Sequence, residues 1–428
     1  MDPTISGQIR RVMITGASGY IGRRLVDTAL ARGLDVVAVV REPRKIRSRA
    51  GLSAEPFDLA RPVDLDDVLS GVEAVIHLAA IIAENSRPAG VEEDLNVSGT
   101  RRLLEATRRR GVRRFVFLSS QSAAADSPTR YGRSKWDIEQ LLTGTGECSV
   151  RTGLVSGGTP RGLYGVLFRL SKRLPCLPVV RPGAPVYPVH VNDLCAGLLS
   201  LAEDDGDPPR MTRIAAAEPM SFGAYIRMLA FERLGRRIRL LPIPGRLILA
   251  LGRLTELVPF LPTVDGERVR GLMALRPMDA ASIPAPPSAP ALRDVAGTLA
   301  EEGLRRRLLA EGRTLTRYVL GGASFPSGVL RRYTRAVLAD DDREPLTLSL
   351  VAQAWPRLLR WSEPVGATGR LGKRLALATR IVEMTPQAAP LFHNYKDRPR
   401  VAVWMMLAWL IAIEALLLPV RLIRGRRR

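Results

Sequence analysis

Short apolar runs at residues 12–15, 36–40, 74–78 and 115–118 alternate with stretches in which apolar side chains recur at helical spacing, 20–32 and 92–110. Continuous apolar runs of this length belong to strands buried on both faces. Their alternation with helices makes the sheet parallel, with helices above and below. Gly33 and Gly111 fall where helix C-caps belong. The pattern predicts an α/β fold, with a doubly wound parallel-sheet Rossmann domain over residues 1–150. Beyond it, 149–155, 186–191, 213–217 and 238–241 read as strands, and 192–202 and 222–234 as helices, the second with Ser221 as its N-cap. Residues 151–280 are expected to finish the sheet and form a small substrate lobe. A Pro/Ala-rich linker at 281–292 leads to a basic, mostly helical extension at 293–400, an apolar segment at 401–423 and an Arg-rich tail at 424–428.

The turn after the first strand reads Thr15-Gly-Ala-Ser-Gly-Tyr-Ile-Gly22 and opens the first helix. Gly16 permits the reversal, Gly19 the approach of backbone N–H groups to a pyrophosphate, and Gly22 close packing of helix on sheet. With the helix N-terminus behind it, the loop of Gly16, Ser18, Gly19, Tyr20, Ile21 and Gly22 is expected to hold a dinucleotide. At the tip of the second strand, Arg41 with Arg44 and Lys45 favours a 2′-phosphate, hence NADP; the adjacent Glu42 leaves NAD open. Asp58 and Leu59 follow the expected third strand. There Asp58 either meets the adenine amino group or caps the next turn.

Tyr131 and Lys135 are four apart near the start of a helix and share one face. An ammonium beside a phenol favours phenolate, so the tyrosine is expected to titrate below its ordinary value and to exchange a proton with a substrate hydroxyl. Lys135 is also placed to hold a nicotinamide ribose. Ser120 ends the fourth expected strand and is placed to orient the substrate oxygen.

The pieces TGASGYIG, VIHLAA (75–80), NVSGTRRLLEA (96–106), FVFLSS (115–120), YGRSK and PVHVNDL (188–194) occur in order over residues 10–276. In them the chain resembles the extended short-chain dehydrogenases/reductases, the NAD-dependent epimerase/dehydratase group. The resemblance implies a Rossmann domain with a small C-terminal lobe. It further implies Tyr131 as proton donor or acceptor, Lys135 as its partner, Ser120 as the polarising hydroxyl, Asn96 as a support of the active site, and Ala79 and Ala80 along the cofactor. The short span between Ser120 and Tyr131 and the stretch 243–270 look more like the atypical branch that includes the NADPH-binding accessory subunit of respiratory complex I. Some members of that branch lack the tyrosine or lysine; this chain keeps both. Two functions follow. One is an NAD(P)-dependent oxidoreductase or epimerase acting on a hydrophobic or lipid-linked alcohol, ketone or sugar. The alternative is a non-catalytic NADPH-binding accessory subunit or assembly factor of a membrane complex.

The 64 basic residues outnumber the 42 acidic ones, a net charge of +22. Only five are lysines, and no basic module interleaved with aromatics occurs, so an anionic membrane surface is a better partner than nucleic acid. Residues 401–420 are long and apolar enough for a bilayer, with Glu414 as their single ionisable group and Arg421, Arg424 and Arg426–Arg428 beyond. The polar N-terminus does not read as a signal peptide. The expected location is the cytoplasmic face of a membrane, with 401–423 anchored or embedded and 247–261 as a second contact. Three cysteines and three separated histidines make neither a disulfide framework nor a zinc site. His77 and His190 are expected to pack, Asp193 to cap its helix, and Arg151 and Arg161 to be solvated rather than to bind a phosphate.

Overall fold

A computed structural model describes residues 9–61, 64–81, 91–181, 183–245, 247, 266–279, 282–286, 288, 290–320, 327–361 and 369–385. The apolar segment 401–423, the tail 424–428 and the stretch 248–261 lie outside the described residues. The chain forms two compact units, residues 1–300 and 301–428.

In the first unit, β1 (Arg11–Thr15), β2 (Asp35–Val40), β3 (Leu52–Pro56), β4 (Ala74–His77), β5 (Arg114–Ser120), β6 (Glu147–Thr152) and β11 (Met211–Ile214) build one sheet. Its order is β3-β2-β1-β4-β5-β6-β11, and every pairing is parallel. Alternate residues of one strand feed opposite faces. Val12 and Ile14 join Leu25, Val26 and Ala29 of α1 (Tyr20–Ala31) and Leu194, Leu198 and Leu201 of α5 (Val191–Glu203). Met13 packs on the other face with Leu103 and Leu104 of α2 (Val91–Arg109) and Ile138 of α3 (Arg130–Leu141). Both faces are covered, which is why the strands read as unbroken apolar runs.

The second half departs from its expected strands at prolines and glycine. The run 149–155 breaks at Gly153 into β6 and β7 (Leu154–Ser156), because a Cβ there would overlap the carbonyl oxygen of Tyr187. The run 186–191 becomes β9 (Pro185–Val186) and β10 (Pro188–His190), after which α5 starts at once. His190 rather than Asp193 caps α5, its Nδ1 accepting from the Asn192 N–H at 3.3 Å. Asp193, one turn in, pairs with Arg293 at 2.7 Å instead. Ser221 caps α6 (Phe222–Met228) as expected, accepting from Ala224 N–H at 3.2 Å, and the helix continues as a π turn over Leu229–Arg233. The lobe adds α4 (Gly162–Arg173), β8 (Cys176–Arg181), β12 (Met220–Ser221), β13 (Arg239–Pro244) and α7 (Gly266–Met273).

α8 (Val295–Val319) begins in the first unit and runs into the second. The second unit also holds α9 (Ser327–Leu338), α10 (Leu350–Ala354) and α11 (Arg370–Glu383) around Leu308, Leu315, Tyr333, Leu359 and Leu375. Among the described residues no helix is long and apolar enough to cross a membrane.

Candidate active site

β1 and β4 are neighbours although their connections leave toward opposite sides of the sheet. A crevice therefore opens at their carboxyl ends, where open α/β sheets take ligands. Gly16 lies there with φ +67°, and its carbonyl accepts from the Gly19 N–H at 2.9 Å. A Cβ on Gly16 would stand 2.9 Å from the Ala79 nitrogen, so only glycine lets the two loops meet. A Cβ on Gly22 would overlap the Gly16 carbonyl oxygen, so Gly22 accommodates the loop itself rather than the sheet. Gly19 caps α1 without any side-chain hydrogen bond, leaving the first-turn N–H groups of Ile21 and Gly22 for an anion. The cradle thus fits a pyrophosphate. The Tyr20 side chain serves elsewhere: its hydroxyl donates to the Gly157 carbonyl at 2.7 Å and its ring stacks on Tyr164 at 6.2 Å. The Ile21 side chain packs against the core.

A buried polar chain, absent from the sequence reading, locks this crevice. Thr15 Oγ1 accepts from Leu78 N–H at 3.0 Å and Ala79 N–H at 3.1 Å, and lies 2.7 Å from His77 Nδ1. With both lone pairs engaged, the Thr15 hydroxyl donates to Nδ1. His77 is then the Nε2–H tautomer and donates to Thr100 Oγ1 at 2.9 Å. Burial, helped by the charge of Lys135, lowers the His77 pKa to about 3, so the ring is a neutral structural link and not a base.

Arg41 and Arg44 are exposed at the end of β2, and neither forms an ion pair among the described residues. Glu42 is taken by Lys45 at 2.7 Å. Asp58 caps its own turn, accepting from the Ala60 N–H at 3.0 Å, while Leu59 is buried with its carbonyl on Arg102 at 2.7 Å. Asn96 clamps the Ile81 backbone, accepting from its N–H at 2.7 Å and donating to its carbonyl at 2.9 Å. It therefore holds the segment after Ala79 and Ala80, and is a positioning residue rather than a proton-transfer group. Ala79 and Ala80 are half-buried at the mouth of the crevice.

Thr129 caps α3 by accepting from Gly132 N–H at 3.1 Å, which places Tyr131 in its first turn. Lys135, one turn on, is 4% exposed; its Nζ donates to the Leu118 carbonyl at 2.7 Å and stands 4.4 Å from the Phe117 ring centroid and 5.7 Å from that of Tyr131. Burial lowers Lys135 to about 8, opposed by the charge of Glu139. Tyr131 exposes 38% of its surface, yet the packing around its hydroxyl raises the phenol above its usual 10, opposed by a hydrogen bond with Ser120. This corrects the expected downward shift: desolvation outweighs an ammonium that is itself engaged by a backbone carbonyl. Ser120 Oγ is 2.9 Å from Ser122 Oγ and accepts from the Ser122 N–H at 3.2 Å.

Beyond Ser122 lies a cavity of about 190 Å³ lined by Gln121, Ser127, Arg151, Arg276 and Met278 among others. Arg151 is not solvated: it pairs with Glu139, which α3 buries, at 2.6 Å. Arg161 is exposed, and burial raises both Cys148 and Cys195 to about 12, which leaves them inert.

The family described as NAD dependent epimerase/dehydratase matches residues 12–145. A 3-beta-hydroxysteroid dehydrogenase from Mycolicibacterium neoaurum is 34% identical over 281 residues, 58% of this chain and 76% of that protein. The chain belongs to the NAD-dependent epimerase/dehydratase family. A ceramide reductase from Caulobacter vibrioides is 30% identical over 57% of this chain and 77% of that protein. A mitochondrial NADH dehydrogenase [ubiquinone] 1 alpha subcomplex subunit 9 from Dictyostelium discoideum is 24% identical over half of this chain (50%) and 62% of its own length. The solved structure of a nucleoside-diphosphate-sugar epimerase from Staphylococcus aureus, 15% identical with a TM-score of 0.51 over 68% of this chain and 99% of that one, shares the fold. Members of this family of extended short-chain dehydrogenases/reductases are NAD(P)-dependent oxidoreductases and epimerases.

Proposed function

We propose that this enzyme interconverts a secondary alcohol and a ketone on a hydrophobic, steroid-like or lipid-like substrate, using NADP in preference to NAD. The observation that carries the reading is the convergence of Ser120, Tyr131 and Lys135 at the carboxyl end of β5, beside a crevice that only glycine backbone leaves open. The names of the dehydrogenase and ceramide reductase relatives support the substrate class. A bound nicotinamide supplies or accepts the hydride. In reduction, Tyr131 donates its phenolic proton to the carbonyl oxygen, Ser120 donates a hydrogen bond to that oxygen, and Lys135 stabilises the phenolate left behind. The likeness to the complex I subunit supports the accessory-subunit reading. The complete Ser120, Tyr131 and Lys135 set favours catalysis.

Incubation with NADPH and a 3-oxosteroid, a long-chain keto-amide or a UDP-4-keto-hexose tests the substrate class. Nicotinamide absorbance should fall with the apolar ketones at a kcat/KM about 100-fold above any turnover of the sugar nucleotide. Turnover of the UDP-4-keto-hexose alone would reject the lipid-like substrate, and no turnover of any kind would favour the accessory subunit.

Cofactor preference has its own test. Replacing both Arg41 and Arg44 by Ala should weaken NADPH binding by about 10- to 100-fold, the worth of a charge-assisted phosphate contact, with NADH affinity unchanged. Equal losses for both nucleotides would remove the argument for NADP.

A further inference from the structure

Two segments of the substrate lobe carry a strong excess of positive charge. Segments 161–181 and 222–245 contain ten basic residues and a single carboxylate, Glu232. Their fold gathers several of these at one end of the lobe. β8 and β13 pair in parallel, with Arg239 opposite Cys176 and Leu241 opposite Pro178. The Arg239 N–H donates to the Pro175 carbonyl at 3.0 Å, just past the end of α4. The π turn closes onto the same end: Arg236 N–H donates to the Ala230 carbonyl at 3.0 Å, and the Arg236 guanidinium donates to the Lys172 carbonyl.

Three large apolar side chains emerge there into solvent. Leu174 is 40% exposed, Phe231 50% and Leu241 55%, above a core of Leu177, Val179, Leu229 and Ile238. Lys172, Arg173, Arg237 and Arg239 are exposed around them. Apolar side chains ringed by long basic ones suit an interface where aliphatic stems lie at the acyl boundary and charges reach the headgroups.

We infer that this end of the substrate lobe docks on an anionic lipid surface. Charge complementarity selects the occupant, since the exposed Lys172, Arg173, Arg237 and Arg239 repel a basic partner and attract phosphate headgroups. Single-stranded RNA is the lesser fit: among the described residues Phe231 is the only exposed aromatic of the patch, and such RNA needs successive stacking platforms. The patch uses none of Ser120, Tyr131 or Lys135, so it stands or falls separately from the redox reading.

The test uses the full chain in a Cys176→Ser background, with an environment-sensitive fluorophore on Leu241→Cys or, as the remote control, on Arg110→Cys beyond α2. Vesicles of phosphatidylcholine with about one third phosphatidylglycerol should brighten and blue-shift the label at 241 and leave that at 110 unchanged; pure phosphatidylcholine should do neither. Each change of Lys172, Arg173, Arg237 or Arg239 to Ala should lower the inserted fraction about fivefold. A Leu174→Cys label, as a second reporter, should respond in parallel if the patch docks as a unit. Attachment to vesicles with the label at 241 still in water would show that another segment anchors the chain and would overturn the inference. So would insertion indifferent to the four substitutions, or a response to single-stranded RNA in place of lipid. NADPH binding by the same proteins reports on the nucleotide site independently.

Discussion

Tyr131→Phe should lower kcat/KM for carbonyl reduction about a thousandfold, the usual worth of a positioned general acid, while NADPH affinity stays unchanged. The substitution removes one hydroxyl. The ring keeps its place in the first turn of α3, and its 38% exposure means that no buried partner is stranded other than Ser120, which retains Ser122 at 2.9 Å. Stability should therefore hold, separating chemistry from folding. The pH profile gives a second readout. Tyr131 titrates above its ordinary value of 10, so the phenol is protonated and ready to donate throughout the neutral range. Lys135 titrates at about 8, so reduction by the unaltered enzyme should stay level up to that pH and decline above it as the positive charge that stabilises the departing phenolate is lost. Steady-state rates at saturating NADPH, with fluorescence titration of the nucleotide, check both. A variant within about tenfold of the parent would remove Tyr131 from the proton path.

Gly22→Ala should weaken NADPH binding by about 100-fold through backbone geometry alone. The added Cβ would overlap the Gly16 carbonyl oxygen and lie 2.7 Å from the Ala17 Cα and 2.9 Å from the Gly16 carbonyl carbon. All three are backbone atoms, so no side chain can swing aside. The loop must move away from the N-terminus of α1, and the N–H groups lose their common focus on the anion. Gly33→Ala is the matched control. Gly33 has φ +82° at the end of α1, but a Cβ there meets nothing within 4 Å, so its cost is local strain in stability. Thermal unfolding and nucleotide titration of both proteins decide the matter: equal losses of affinity would place the effect in general destabilisation and not in the cradle.

The sheet was legible because burial on both faces writes continuous apolar runs at 12–15, 36–40, 74–78 and 115–118. The glycine turn was legible for a related reason: Gly16, Gly19 and Gly22 are demanded by backbone, and backbone demands repeat at fixed spacing. Tyr131, Lys135 and Ser120 were legible through short-range helical spacing and a strand end. Past residue 148 the lobe elements are short, and prolines at 185 and 188 and Gly153 cut them in ways that an apolar run does not reveal.

By itself the sequence determined the doubly wound parallel architecture, the glycine turn that opens α1 and the shared helical face of Tyr131 and Lys135, because each depends on neighbours within a few residues or on a strand's own burial. The tertiary structure alone decided the remainder. It set His77 between Thr15 and Thr100, turned Asn96 onto the Ile81 backbone, buried Arg151 against Glu139 and moved the cap of α5 to His190. It also reversed the expected shift of Tyr131. Partners brought together across the sheet leave no spacing to read, and the desolvation that sets a proton affinity exists only once the surrounding side chains have closed over it.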